Sequence, residues 1–288
     1  MSNQATKAKS PRVIIGITTR NRRAILTKAI DSASDQDYAN KFTVVMDDAS
    51  TDGTETVRDS YPDVAWIRHD PPRGLRENRN TMMQYPNVDY YVSLDDDAWF
   101  LRNDEISLAV ARMEANPKIG AVAFDILSPC RTEVANRTSP RSTSHYIGCG
   151  HIVRIAAARE AGWYEASPGP YGAEEKDLCI RLKDLGYTVE LMPGVHVWHE
   201  KEWTGRDWYP LQRSGVCNDL TLALRRCPFP DCLLVLPYKI FSHVRYGLRN
   251  RNLLKPTLAG IILFFKHALP NASSRRPVKR ATFWQRTV

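Results

Sequence analysis

Five short apolar runs rich in β-branched and aromatic residues recur through the first 125 residues, and a stretch of helical character separates each from the next. The runs cover residues 12–19, 42–46, 64–68, 90–94 and 119–124. Between them lie residues 22–34, with apolar side chains at Ile25, Leu26, Ala29, Ile30 and Ala33, and then residues 54–60, 74–84 and 104–115. Strands alternating with helices predict an α/β fold: a mostly parallel, doubly wound sheet with helices on both faces. In such sheets ligands sit outside the carboxyl ends of the strands. The residues that end each run are therefore the first candidates for function.

Those ends carry charge. The run 90–94 stops in Asp95-Asp96-Asp97, the run 42–46 in Asp47-Asp48, and the first run in Thr18, Thr19 and Arg20. Three adjacent carboxylates repel one another and call for a counter-charge, of which a divalent cation is the simplest. A merely solvated acidic loop fits less well beside Leu94, Trp99 and Phe100. The segment Asp48-Ala49-Ser50-Thr51-Asp52-Gly53 matches the first half of a calcium loop, but Asp59 stands where a bidentate Glu is needed and a strand precedes it. A turn that caps the next helix accounts for residues 50–53, leaving Asp47 and Asp48 free to accept hydrogen bonds from a ligand.

Further along, Glu174-Glu175-Lys176-Asp177 opens a helix over residues 174–185. Two acids in a first turn can be simple partners of the helix dipole, or one can be a general base. About 100° of helix rotation separates Glu174 from Glu175, so only one readily faces a given crevice. Asp177 shares the face of Glu174 and suits a structural partner. A strand over residues 187–192 precedes His196 and His199, which compete as a third metal ligand. Trp163 and Tyr164 suit either stacking on a ligand ring or a core role.

Charge is unevenly distributed. After Asp231 the chain has eleven Lys and Arg residues and no acid, which leaves 29 basic against 32 acidic residues in the first 231. The basic character belongs to the tail, and it points to a polyanionic surface. Within residues 253–269, Leu253, Leu254, Leu258, Ile261, Ile262, Leu263, Phe264 and Phe265 are bordered by Arg245, Arg249, Arg251, Lys255 and Lys266. That composition suits an interfacial helix on an anionic bilayer. The competing reading is a helical pair packed on the domain or in a homodimer interface. Nucleic acid is disfavoured, because the aromatics do not interleave with the basic residues. No run of about 20 apolar residues spans a membrane, and residues 1–10 read as a disordered lead-in, neither signal peptide nor anchor. The six cysteines form no CxxC pair and match no zinc spacing. Reduced thiols are expected, with a Cys227–Cys232 bridge the weaker alternative.

The motifs VVMDDASTDGT (Val44 to Thr54), RGLRENRN (Arg73 to Asn80), LDDDA (Leu94 to Ala98), GAEEKDLCIRL (Gly172 to Leu182) and Trp198-His199 occur in that order. Together they resemble family-2 inverting glycosyltransferases of the GT-A fold, over about Pro11 to Glu200. The resemblance implies that Asp47 and Asp48 bind the nucleobase and ribose of a nucleotide-sugar donor, with Thr18 and Arg20 beside them and Arg79 near the nucleotide. It makes Asp95–Asp97 the acidic donor motif: Asp97 the direct ligand of Mn2+ or Mg2+, Asp95 a second ligand or, with Asp96, a contact to ribose or donor sugar. His199 matches a metal ligand of some members. Glu175 falls on the general base, where the family usually has Asp, so Glu174 stays open.

The expected activity is therefore metal-dependent transfer of a sugar from a nucleoside diphosphate, UDP first, to a hydroxyl of a glycan or lipid-linked acceptor. The expected place is the cytoplasmic face of a membrane. Residues 11–125 would bind the donor, 126–210 the acceptor and catalytic groups, and 211–288 would form the basic extension. A sugar nucleotidyltransferase is disfavoured because Thr18-Thr19-Arg20-Asn21 replaces a Gly-rich loop. A catalytically silent, membrane-associated binding module is the alternative from another class.

Overall fold

The computed structural model describes residues 10–134, 138–201 and 207–285. Of the expected lead-in, residues 1–9 lie outside that range. The N-terminal half follows the alternation: β1 (Val13–Thr19), α1 (Arg23–Ser34), β2 (Lys41–Asp48), a 3-10 turn over Thr54–Ser60, β3 (Ala65–His69), α2 (Leu75–Met83) and β4 (Tyr90–Asp95). Then come β5 (Ala98–Phe100), α3 (Glu105–Ala115), β6 (Ile119–Leu127), β7 (Arg141–Ser142), β8 (Gly150–Arg154), α4 (Ile155–Ala161), α5 (Glu174–Asp184) and β9 (Thr188–His199).

All nine strands form one sheet, ordered β3-β2-β1-β4-β8-β6-β9-β5, with β7 paired to β9. The first four strands are parallel. Strand β8 then enters antiparallel between β4 and β6. Helices cover both faces, as expected. Leu26, Ile30, Ile106 and Met113 of α1 and α3 pack on one side. Met82, Ile155, Leu178 and Leu182 of α2, α4 and α5 pack on the other. A sheet buried on both faces explains why its strands read as continuous apolar runs rather than alternating ones.

The C-terminal region is helical: α6 (Trp208–Arg226), α7 (Cys232–Arg249), α8 (Leu254–His267) and α9 (Arg280–Trp284). Val216, Leu220 and Leu224 of α6 form a separate core with Phe264 and Ala268, against which Leu236, Ile240, Ile261 and Leu263 are packed. Of the apolar residues expected on this tail, Ile261, Leu263 and Phe264 face α6, as the competing reading of a packed helical pair has it, while Leu258, Ile262 and Phe265 are exposed. Residues 275–284 turn back on the domain. The Lys279 backbone N–H and the Thr282 hydroxyl donate to Asp184 (2.8 and 2.9 Å), and Arg280 and Trp284 donate to Asp231 (2.8 and 2.6 Å). All six cysteines are free. No helix of the described residues is long and apolar enough to cross a membrane.

Candidate active site

Parallel register places the expected residues in one row. Thr18 lies opposite Asp95, Thr19 opposite Asp47, and Asp48 opposite His69. This row borders a crevice of about 560 Å³, whose walls include Thr18, Thr19, Arg20, Asp48, Asn78, Asp95–Asp97, Tyr171 and His199 but neither Asp47 nor His69.

Neither acid at the end of β2 is free, contrary to expectation. Asp47 is buried behind the wall, accepting from the Ser50 backbone N–H at 2.9 Å and from Arg68 at 2.5 Å. Asp48 lines the crevice and accepts from the backbone N–H groups of Arg73 and Gly74 at 2.7 and 3.0 Å. The turn at residues 50–53 is built as expected, with Asp52 accepting from the Thr54 N–H at 3.0 Å.

Past β4 the chain turns through Asp96 and Asp97 and pairs again at once. Ala98 of β5 lies opposite His199, the last residue of β9. That three-residue ladder brings His199 Nε2 within 3.2 Å of Asp97 Oδ1, with both side chains buried. The other ring nitrogen, Nδ1, lies 3.4 Å from the buried Cys149 sulfur. Asp95, Cys149 and His199 each offer one donor atom within 4.8 Å of the others. Carboxylate oxygens suit Mn2+ and Mg2+, and of the two Mn2+ is the better match for a set that also holds an imidazole nitrogen, so the residues present fit an expected Mn2+. His196 is three residues away on the same strand, hence on the opposite face, and pairs with Asp125 of β6. Burial first, and then the charge of Asp97, push Asp96 up to about 7.

Arg79 of α2 does not line the crevice. It is 1% exposed and lies beneath the wall, where it donates to Asp95 at 2.9 Å and to Glu175 at 3.0 Å. Burial, followed by the neighbouring charge of Glu174, pushes Glu175 up to about 7, although Arg79 pulls it down. Glu174 is buried. Gly148 closes this arrangement from the side. A Cβ there would lie 2.5 Å from Glu175 Oε1 and 2.6 and 2.7 Å from the two Arg79 Nη atoms. Gly148-Cys149-Gly150 falls within Tyr146–His151, a stretch expected from the sequence to contact the acceptor. Its place emerges only when β8 is inserted beside β4.

The loop before α5 is held from the C-terminal region. The Asn218 amide of α6 donates to the carbonyls of Gly169, Tyr171 and Gly172, each at 2.9 Å, while its oxygen accepts from the Gly169 N–H at 2.9 Å. This loop sets Pro170 and Tyr171 into the crevice wall. Asp177 is the structural partner expected, and its charge is answered by Arg181 and by Arg226 of α6 at 2.9 and 2.6 Å. Those charges hold its carboxyl below the usual range against the effect of burial. Tyr164 is core, its hydroxyl 2.9 Å from that of Tyr146 and 3.2 Å from His151, and the half-buried Trp163 turns its carbonyl to Arg181.

Comparison with known proteins adds family and fold. The model of the family described as "Glycosyl transferase family 2" matches residues 14–160. No curated protein sequence matches the chain. Among solved structures, the chain is similar to the mannosyltransferase PcManGT of Pyrobaculum calidifontis in complex with GDP-Man and Mn2+, with 21% identity, 93% of this chain and 79% of that one covered, and a TM-score of 0.63. It is similar to S. aureus TarS 1-349 in complex with UDP-GlcNAc, with 13% identity, coverage of 92% and 84%, and a TM-score of 0.63. It is also similar to GalNAc-T7 with UDP, GalNAc and Mn2+, at 14% identity and a TM-score of 0.64, covering 94% of this chain but 59% of that one. At these identities the likeness establishes the fold, which is the GT-A arrangement.

Proposed function

The chain belongs to glycosyl transferase family 2, and from that premise we propose that it moves a sugar from a nucleoside diphosphate to an acceptor hydroxyl by single displacement with inversion. The observation that carries this reading is the meeting of two acidic centres across one buried arginine. One guanidinium nitrogen of Arg79 contacts Asp95, next in the chain to the acidic pair whose Asp97 meets His199, and the other contacts Glu175. A leaving-group centre and a base held by one rigid group are what an in-line displacement needs.

In this reading Asp48, Thr18 and Arg20 receive the nucleoside and Asp95 and Asp96 the ribose or donor sugar. Asp97 and His199, with Asp95, would hold Mn2+ or Mg2+. When bound, the ion supplies Lewis-acid stabilisation of the charge that builds on the diphosphate. Glu175 takes the proton from the acceptor hydroxyl. A carboxyl poised near neutrality suits that task, because it can be ionised at working pH and still be basic enough to accept. Glu175 is preferred to Glu174 as the base because of its contact with Arg79. Asp47, held by Ser50 and Arg68, shapes the nucleoside end. The acceptor is a glycan or a lipid-linked sugar, met at the cytoplasmic face of a membrane.

UDP is the first donor candidate, and GDP follows because a neighbour of similar fold was solved with GDP-Man. The test is a thermal-shift panel of UDP, GDP, dTDP and CDP, each with and without Mn2+, on wild type and Asp97→Ala. A ligand at about 100 times its dissociation constant adds roughly 2.7 kcal/mol. The expected result is stabilisation by one nucleotide that needs both Mn2+ and Asp97. Stabilisation by none of the four would leave only the fold in common with the family.

A further inference from the structure

We propose that the outward faces of α7 and α8 form one docking surface for an anionic lipid bilayer, on which the protein lies without crossing it. This deepens the reading above, on which it rests for its purpose of bringing the crevice to a membrane-borne acceptor. The surface itself is argued from the helices alone.

Both helices are apolar on two sides. Their inner sides pack on α6 through Leu236, Ile240, Ile261 and Phe264. Their outer sides carry a second set. On α7, Leu234, Tyr238, Phe241 and Leu248 follow one another at steps of four, three and seven, and the first and third are 78% and 62% exposed. On α8, Leu258, Ile262 and Phe265 do the same, and Ile262 is 66% exposed. At about 100° per residue each set stays within a stripe about 80° wide. On α7 that stripe lies across the helix from Leu236 and Ile240, so the apolar side chains there point away from the core. Of the 18 residues of α7, Cys232 and Gly247 alone are buried. Exposed apolar area on this scale marks a surface that meets something other than water.

Charge decides what it meets. Arg245 lies within the α7 stripe, and Arg249, Arg251 and Lys255 follow where α7 turns into α8; all four are exposed. No Asp or Glu occurs after Asp231. A second copy docking by the same face would set this cationic border against itself. A bilayer with anionic headgroups offers the opposite charge and an apolar interior for the stripes. Tyr238 and Tyr246 suit the boundary between the two.

The full chain is sedimented with vesicles of phosphatidylcholine alone and of phosphatidylcholine with phosphatidylglycerol. The same is done with Leu234→Asp/Phe241→Asp and with Arg245→Glu/Arg249→Glu, all exposed positions. The wild type should partition at least tenfold more onto the phosphatidylglycerol vesicles, and added salt should reduce it. Each variant should lose at least tenfold. Equal partition onto both vesicles, variants that bind like wild type, or a wild-type dimer that Leu234→Asp/Phe241→Asp converts to monomer without vesicle binding would each overturn the proposal. Mn2+-dependent nucleotide stabilisation, measured on the same proteins, reports on the crevice separately. Its absence with vesicle binding intact counts against the catalytic reading alone, and its presence without vesicle binding counts against the docking surface alone.

Discussion

The guanidinium of Arg79 lies between Asp95 and Glu175, 2.9 Å from an oxygen of the first and 3.0 Å from an oxygen of the second. One buried cation thus answers two carboxylates that belong to opposite ends of the proposed reaction. The sign of its effect on Glu175 sets a pH dependence. Burial and Glu174 raise Glu175 to about 7, and Arg79 lowers it. The ionised form needed for proton abstraction therefore accumulates as pH rises through about 7. We expect kcat/KM for hydrolysis of the nucleotide-sugar donor to climb across that range, and Arg79→Met to move the climb to higher pH. The stability of the wild type runs the other way. Between the ordinary carboxyl value of 4.5 and about 7 the folded chain holds a proton that the unfolded chain has released, so stability falls as pH rises through that window. Removing Arg79 also leaves two acids without their buried counter-charge, at a cost of about 3–5 kcal/mol. A donor-hydrolysis profile unchanged in Arg79→Met would contradict this account.

Gly148→Ala tests the same pair by volume. Its Cβ would lie within 2.5 Å of Glu175 Oε1, so either Glu175 or Arg79 must move. Overpacking of this kind costs about 1–3 kcal/mol, and a displacement of about 1 Å at a reacting group can cost about a hundredfold in rate. We expect a fold that survives, with donor hydrolysis down about a hundredfold. Chemical denaturation and single-turnover rates read the two effects separately.

Cys149 touches the nitrogen of His199 that faces away from Asp97. A ligand histidine is oriented by the partner of its second nitrogen, and losing that partner weakens metal binding by about 10–100-fold. Cys149→Ala should therefore raise the Mn2+ dissociation constant by about tenfold, with Cys149→Ser between. The electron paramagnetic resonance signal of free Mn2+ measures this without any turnover.

Asn218→Ala removes four hydrogen bonds to a single loop. The expected signature is local: amide exchange should rise at residues 169–173 while β1, β2 and β4 keep their protection. Each backbone group left without a partner costs about 1–3 kcal/mol. Faster exchange spread evenly over the sheet would instead mean that Asn218 serves global stability and not the crevice wall.

The donor half was legible in the sequence because local signals and burial agree there. Each strand from β1 to β4 is an apolar run that ends where polar residues must meet solvent, and Asp95–Asp97 sit at such an end. The other half was obscured by short and distant pairings. Strand β5 is three residues long, too short to show a period, yet it places His199 beside Asp97. Strand β8 begins at Gly150, in a stretch with no strand signal of its own, and its partners β4 and β6 lie far off in sequence. Arg79 was expected near the nucleotide on the resemblance alone; only the folded chain brings it under Asp95 and Glu175. Asn218 had no local signal at all, since its partners lie 46 to 49 residues earlier.

Residues 275–284 bear on how this protein can be shortened. They fasten to Asp184, at the carboxyl end of α5, and to Asp231, just before α7. A deletion that stops after α8 would look minor, since it removes a 3-10 turn over Leu269–Ser274, one five-residue helix and a few basic side chains. It would instead release the far end of the helix whose first turn carries Glu174 and Glu175. What passes for a trailing segment acts as a clasp on the helix that carries Glu174 and Glu175, and a fusion partner belongs beyond it, not in its place.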